Sequence, residues 1–88
     1  MTINIKDLKK KIIYRSTYRG TKEMDKLLSS FTKKYINIFT ESELTFLCDF
    51  LDLDDENLYR FNQGKEISLV ILDNKVSKLF KNYRYNGE

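Results

Sequence analysis

The sequence of 88 residues contains no histidine, no proline and no tryptophan, and it has one cysteine and three glycines. Histidine is the commonest general base and metal ligand near neutral pH, so its absence disfavours Ser–His and Cys–His catalysis and zinc binding. The single cysteine, Cys48, has no partner for an internal disulfide and lies in an apolar run, where a small buried side chain is expected. The absence of proline and the isolated glycines favour continuous regular elements over low-complexity segments. We expect no catalytic residues and no metal.

Long apolar runs are also missing. No stretch approaches the roughly 18 apolar residues of a membrane span, and no secretory signal region is present. The basic segment KDLKKKIIYR, residues 6–15, lies directly in the first predicted helix and leaves no room before it for a removable transit peptide. We expect a cytoplasmic protein of a bacterium, in a reducing compartment and without membrane insertion.

Charge is divided along the chain. Residues 1–40 carry ten Lys or Arg against three Asp or Glu, residues 41–74 carry two against nine, and residues 75–88 carry four against one. A basic first half of this kind can attract nucleic acid or an acidic protein surface. The alternative is that these lysines only form the solvated faces of helices.

Apolar residues recur at helical spacing through most of the chain. Five helices are predicted, over residues 4–17, 20–37, 41–51, 54–62 and 68–82, followed by a frayed tail at 83–88. The apolar stripes of the second and fifth helices are predicted to include Ile38 and Leu72, respectively. The segment SLVIL, residues 68–72, has the composition of a buried strand, but there is no second strand for it to pair with. The sequence therefore predicts an all-α fold, a compact five-helix bundle that forms one domain over residues 1–88.

Two local signals define helix ends. Thr40 and Glu43 have the spacing of a capping box ahead of the third helix. Asp52 or Asp54 can cap the fourth helix, and Gly64 is placed to end it in a left-handed conformation.

The stretch RGTKEMD, residues 19–25, places a glycine among strong helix formers. Glu23 and Asp25 are two residues apart on the predicted helix and therefore lie on opposite flanks, which disfavours a catalytic carboxylate pair. Gly20 would face the packing side, where a missing side chain lets another backbone come close. If the second helix extends back far enough, Arg19 can pair with Glu23.

A partner-binding surface is the better interpretation of this corner between the first two helices. Arginine and tyrosine are enriched at the centres of protein interfaces. The candidate partner-binding residues are Arg15, Tyr18, Arg19, Gly20, Glu23 and Asp25, with Tyr14 beside them. An incidental surface stays open as the alternative.

Three sequence elements together resemble the succinate dehydrogenase assembly factor family, the small FAD assembly (flavinylation) factors of bacteria and mitochondria. The hallmark R-G-x-x-E-x-D of that family matches Arg19, Gly20, Glu23 and Asp25. An upstream R-S element matches Arg15 and Ser16. A later element, L-L-D…D…L…W…G, matches Leu51, Asp52, Asp55, Leu58, Phe61 and Gly64. The resemblance covers about residues 12–65, with the elements in the family's order and spacing.

The chain departs from the family pattern in three places. Tyr18 stands where the family usually has a second basic residue, which bears on partner affinity. Phe61 replaces the usual tryptophan, and the prolines common near the fourth helix are absent. The last two departures concern packing.

The resemblance implies a five-helix fold and a non-enzymatic role. Such factors bind the flavoprotein subunit of succinate dehydrogenase, and sometimes that of fumarate reductase, and promote covalent attachment of FAD to a histidine of that subunit. By this resemblance, Arg19, Gly20 and Glu23 form the centre of the docking surface, and Asp25 serves structure at the helix flank. The factor itself is expected to bind no cofactor stably, and the resemblance leaves direct contact with FAD open.

The competing interpretation is a basic helical module that binds nucleic acid or acts as a regulator of the antitoxin type. It rests on the charge of the first half, since basic helices dock on phosphates. The lysines are spread around the helices, however, and no recognition helix or stacking motif is evident. A metabolic enzyme is disfavoured by the missing histidine and by the lack of a glycine-rich phosphate loop.

Overall fold

The computed structural model describes residues 4–67 and 70–85. Five helices lie in this part of the chain: α1 (Ile5–Ser16), α2 (Lys22–Tyr35), α3 (Glu41–Phe50), α4 (Asp55–Asn62) and α5 (Lys75–Asn82). No residue within the described ranges belongs to a β-strand, and the predicted all-α fold of five helices is confirmed. In the same ranges, no helix combines the length and the apolar character needed to cross a bilayer.

Short polar side chains start most of these helices. Asn4 caps α1 by accepting the backbone N–H groups of Lys6 and Asp7, which would otherwise lack partners. The predicted capping box of α3 is confirmed, because the Thr40 hydroxyl accepts the Glu43 N–H while the Glu43 carboxylate accepts the Thr40 N–H. These caps fix where α1 and α3 begin.

The end of α4 also matches its prediction. Gly64 has φ of +74°, the left-handed conformation that glycine adopts without steric cost. The N–H of Lys65 then donates to the carbonyl of Arg60 at 2.9 Å, which closes a Schellman motif. The start of α4 is simpler: Asp54 is the N-cap residue, but its side chain accepts from Asn57 instead of a backbone N–H.

The helices pack as two connected groups. The first helix lies against α2 and α3, and α5 lies against α3 and α4, so α3 joins both groups. Among the residues that the structure describes, fifteen buried apolar ones fill the centre: Ile12, Met24, Leu27, Leu28, Phe31, Ile36, Phe39, Leu44, Leu47, Cys48, Phe50, Leu51, Leu58, Val76 and Phe80. Cys48 is thus a buried free thiol, as predicted.

Phe80 is the aromatic contact that ties α5 to the rest of the core. Its ring meets Phe31 of α2 at 5.2 Å and Phe50 of α3 at 5.3 Å between centroids, both edge to face. Edge-to-face pairs add about 0.5–1.5 kcal/mol to the gain from area burial alone. The Phe80 ring therefore joins α5 to both α2 and α3.

The second helix is shorter than predicted at both ends. It begins at Lys22, after the N-cap Thr21, so Gly20 lies outside the helix. It ends at Tyr35, and Ile38, which was expected on its buried stripe, is exposed in the following turn. Because the helix ends before Ile38, the helical spacing of this residue does not place it on the buried face.

The fifth helix begins at Lys75, seven residues later than predicted. Asn74 and Ser77 form a capping box, in which Asn74 accepts the Ser77 N–H at 3.0 Å and Ser77 accepts the Asn74 N–H. The prediction that Leu72 faces the core from this helix is wrong: Leu72 precedes the helix and its side chain is 68% exposed. Ser68 and Leu69, the predicted first residues, lie outside the described residues.

The tail predicted to fray is partly packed. The Tyr83 ring lies 5.3 Å from the Phe31 ring, and its hydroxyl donates to Ser30 at 2.8 Å. Tyr85 also packs against the core, so the prediction is wrong for residues 83–85. A tyrosine is more stable in this position than in solvent, because its apolar ring is buried while its hydroxyl keeps a hydrogen bond. Residues 86–88 of the predicted tail lie outside the described residues.

Asn62 is the buried polar residue that joins α4 to the end of α5. Its side-chain amide donates to the carbonyls of Phe80 at 2.8 Å and Tyr83 at 2.9 Å, at the C-terminal end of α5. A typical hydrogen bond of this kind contributes about 0.5–1.5 kcal/mol to stability.

We expect Asn62→Leu to lower the free energy of unfolding by about 1–3 kcal/mol, because it removes the two hydrogen bonds that the buried Asn62 amide donates to the end of α5. Urea unfolding followed by circular dichroism measures this. Asn82→Leu is the control, because the exposed Asn82 amide contacts only the Lys78 carbonyl of its own helix, and its effect should stay within about 0.5 kcal/mol. Equal losses in the two variants would contradict the role of Asn62.

Candidate functional site

The corner between α1 and α2, residues 17–21, is a tight connection between two capped helix ends. Thr17 follows α1, and the Thr21 hydroxyl accepts the Met24 N–H at 3.2 Å to start α2. Between them, Tyr18 has φ of +57°. This left-handed conformation is uncommon for a residue with a bulky side chain. The corner is thus a defined turn, and it holds the Arg-Gly pair of the sequence motif.

The Arg19 side chain points into the protein and is only 13% exposed. Its Nη1 donates to the carbonyls of Arg15 at 2.9 Å and Leu51 at 2.8 Å. Its Nη2 donates to the Leu53 carbonyl at 3.0 Å. These carbonyls belong to the last turn of α1, the end of α3 and the α3–α4 turn. The planar fork of the guanidinium suits such divergent acceptors, which an ammonium group cannot reach together.

Asp55 binds both residues of the Arg-Gly pair through one carboxylate. Its Oδ1 accepts from Arg19 Nε at 2.8 Å, and its Oδ2 accepts the Gly20 N–H at 2.9 Å. A Cβ at position 20 would come within 3.1 Å of that Oδ2. The Arg19 N–H donates in turn to the Asp25 carboxylate in the first turn of α2. The corner is therefore held from both sides by carboxylates.

Arg15 makes a second connection between α1 and the end of α3. Its Nη1 pairs with Asp52 Oδ1 at 2.7 Å and donates to the Cys48 carbonyl at 3.2 Å. The carbonyl end of a helix carries partial negative charge, so both arginines stabilise α3 where its backbone lacks hydrogen bonds.

The outer surface of the corner is formed by other residues. Tyr14 and Tyr18 are 70% and 84% exposed, and their rings lie 6.1 Å apart between centroids. Gly20 is exposed beside them. The two tyrosines, Gly20 and Asp55 line a shallow depression together with polar parts of α1. We call this surface the corner depression.

Glu23 lies on the opposite side of the same corner. It is exposed and makes no hydrogen bond or ion pair with any residue in the ranges 4–67 and 70–85. Together with Leu27, Tyr59 and Tyr85, it lines a largely apolar groove of about 330 Å³ between α2, α4 and the C-terminal segment. An unpaired carboxylate beside apolar surface is available to a partner.

The structure separates the six predicted site residues into two sets. Arg15, Arg19 and Asp25 are engaged inside the protein, whereas Tyr18, Gly20 and Glu23 present exposed surface. The conditional Arg19–Glu23 pair does not form, because α2 begins at Lys22 and Arg19 pairs with Asp55 instead. Partner binding by these residues stays a prediction.

Sequence reasoning did not predict that Asp52 and Asp55 pair with the two arginines. The signal was present in the later element, L-L-D…D, whose two acids are three residues apart, while the two arginines are four residues apart. Within the part of the chain that the structure describes, no three His, Cys, Asp or Glu side chains gather as a metal site.

We expect Arg19→Lys to lower the free energy of unfolding by about 2–4 kcal/mol, because a single ammonium cannot replace hydrogen bonds to four acceptors. Chemical unfolding at neutral pH tests this. The matched control is Arg60→Lys, because Arg60 makes only an exposed pair with Glu56 at 3.4 Å, worth about 0.5 kcal/mol or less. Similar unfolding curves for the two variants would contradict a structural role of Arg19.

Comparison with known proteins relates this chain to one family. A family model described as flavinator of succinate dehydrogenase matches residues 10–84, from α1 to the segment after α5. A curated relative is succinate dehydrogenase assembly factor 2, mitochondrial, from Scheffersomyces stipitis. It is 49% identical over 49 residues, which make up 56% of this chain. No solved structure matches the chain.

The chain spans about a third, 33%, of the length of that relative. The name of the relative places that protein in mitochondria, and the bacterial cytoplasmic location predicted for this chain stays a prediction. The range matched by the family model, residues 10–84, includes the corner, the arginine pairs and all the helices except the first residues of α1. This chain belongs to the family of flavinators of succinate dehydrogenase.

Proposed function

We propose that this chain is a non-catalytic assembly factor that binds the flavoprotein subunit of succinate dehydrogenase and promotes covalent attachment of FAD to a histidine of that subunit. The observation that carries the proposal is the match of a flavinator family model to residues 10–84. The site supports it, because the hallmark residues lie at one corner, where Gly20, Tyr18 and Glu23 present exposed surface.

The corner suits docking because it is preorganised. Asp55 and Asp25 hold the backbone of Arg19 and Gly20 on both sides, so a partner meets a surface whose shape is already set. Preorganisation lowers the entropy lost on binding. In this proposal Arg19 acts from behind the surface, as a positioning residue, while Tyr18 and Glu23 contact the partner.

The chemistry of attachment belongs to the partner subunit and its flavin. The contribution of this chain is to hold the subunit in a conformation that aligns the flavin with its histidine, which is an orientation effect. The chain itself has no histidine, and we propose that it binds FAD in no stable complex.

The basic test is flavin fluorescence of the flavoprotein subunit on a denaturing gel. The subunit is expressed with and without this chain in cells that lack their own factor. We expect a fluorescent band only when the chain is present. Bands of equal intensity would contradict the proposal. They would instead favour the alternative, nucleic-acid binding by the basic first half.

We expect Glu23→Ala to reduce the fluorescent band strongly while leaving stability within about 0.5 kcal/mol of wild type, because the Glu23 carboxylate has no partner among the described residues. Glu41→Ala is the control, since Glu41 is also an exposed acid in the first turn of a helix. An unchanged band with Glu23→Ala, or the same loss with Glu41→Ala, would remove Glu23 from the docking surface.

We expect Gly20→Arg to keep the helical circular dichroism near that of wild type and to abolish flavinylation, because a long side chain on the corner holds the partner away. Gly20→Ala separates this effect from local crowding. Its Cβ makes the same 3.1 Å approach to Asp55 but projects little into solvent, so most flavinylation should remain. If Gly20→Ala loses as much activity as Gly20→Arg, the contact with Asp55 explains the effect and the blocked surface does not.

A further inference from the structure

The segment before α5 exposes apolar side chains that the proposed function does not use. Val70 is 97% exposed and Leu72 is 68% exposed, whereas Ile71 between them packs against the core. This alternation is the pattern of an extended chain with one buried face. It leaves two branched aliphatic side chains in solvent next to each other.

The same segment forms one wall of an apolar groove of about 280 Å³. The opposite wall consists of Phe46, Phe50 and Leu53 from α3 and the turn that follows it. Among the described residues that line this groove, Asp49 is the only charged one, and it is exposed. The groove thus combines aromatic and aliphatic walls with one carboxylate.

The backbone of the segment is also open to hydrogen bonding. The N–H groups of Val70, Ile71, Leu72 and Asp73 donate to no acceptor in the ranges 4–67 and 70–85. The Leu72 carbonyl accepts a hydrogen bond from the Ser77 hydroxyl at 2.7 Å. A row of free backbone groups beside apolar side chains can pair with the backbone of another extended chain. A lipid or an apolar small molecule would leave these groups unpaired.

Charge indicates what kind of chain fits. Residues 41–74 carry nine acids against two basic residues, and Asp49 has no ion pair among the described residues. Two lysines of α5 are engaged in ion pairs: Lys75 lies 3.8 Å from Glu43, and Lys78 lies 3.9 Å from Asp73. A second copy of this chain that met this groove with its own groove would bring the same excess of acids to the contact, whereas a basic segment would be attracted.

We propose that this groove binds an extended, basic segment of a partner protein. An apolar side chain of that segment fills the space between α3 and Val70, its backbone pairs with residues 70–73, and a flanking Lys or Arg reaches Asp49. This interaction is separate from the corner depression and does not depend on the proposed role in flavinylation.

The test uses short fluorescent peptides and the full chain, with binding followed by fluorescence anisotropy. The probe is an alternating Lys-Val peptide. Three matched peptides each remove one feature: Glu-Val repeats reverse the charge, Lys-Ser repeats remove the apolar side chains, and an N-methylated Lys-Val peptide blocks backbone pairing. We expect the Lys-Val peptide to bind and each of the three others to bind about tenfold more weakly or not at all.

Variants locate the binding. Val70→Ser should weaken the Lys-Val peptide about tenfold, and Asp49→Asn about threefold, with the Asp49 effect fading at high salt. Ile38→Ser is the matched control, since Ile38 is another exposed aliphatic residue outside the helices, and it should change nothing. Hydrogen exchange of the amides of residues 70–73 should slow when the peptide is bound.

Several results would overturn the proposal. These are no binding of the Lys-Val peptide, equal binding of the Glu-Val peptide, or a Val70→Ser variant that binds as well as wild type. A concentration-dependent dimer that Val70→Ser dissociates would assign the groove to a second copy instead. Because none of these readouts involves flavin, their outcome is independent of the flavinylation assay.

Discussion

The guanidinium of Arg19 is the contact on which the arrangement of α1, α3 and α4 depends. It reaches the last turn of α1, the end of α3, the α3–α4 turn and the first turn of α4 from one position. Each acceptor there is either a backbone carbonyl at a helix end or the Asp55 carboxylate, and none of these can be left buried without a donor at low cost. The conformation of the corner that carries the motif is consequently determined by tertiary contacts and not by its own local sequence.

Much of the fold could be predicted from the sequence, because helical periodicity and caps are local properties. The five helices, the Thr40–Glu43 capping box and the left-handed Gly64 all follow from residues within one or two turns of each other. Two of the errors lie where helical periodicity continued beyond the ends of a helix. Ile38 and Leu72 fit helical stripes by spacing, but the chain had already left the helix at one and had not yet entered it at the other.

The candidate site was predictable in its residue types and not in their contacts. The motif identified Arg19, Gly20 and Glu23, yet the burial of Arg19 depends on Asp55, 36 positions away, and on carbonyls that have no sequence signature. Periodicity also placed Gly20 on a helix, whereas its exposure and its contact with Asp55 result from the turn before α2. Non-local contacts of this kind can be identified only in the structure, because many pairings of acids and arginines are compatible with one sequence.

The backbone of Tyr18 has a consequence for engineering this protein. A left-handed conformation costs an ordinary residue roughly 1 kcal/mol or more, and glycine or asparagine would adopt it more easily. A procedure that selects only for thermal stability would therefore favour Gly at position 18 and would remove an exposed aromatic ring from the corner. Under the proposed docking role of Tyr18, the most stable version of this chain and the version best suited to bind a partner are, at this position, different sequences.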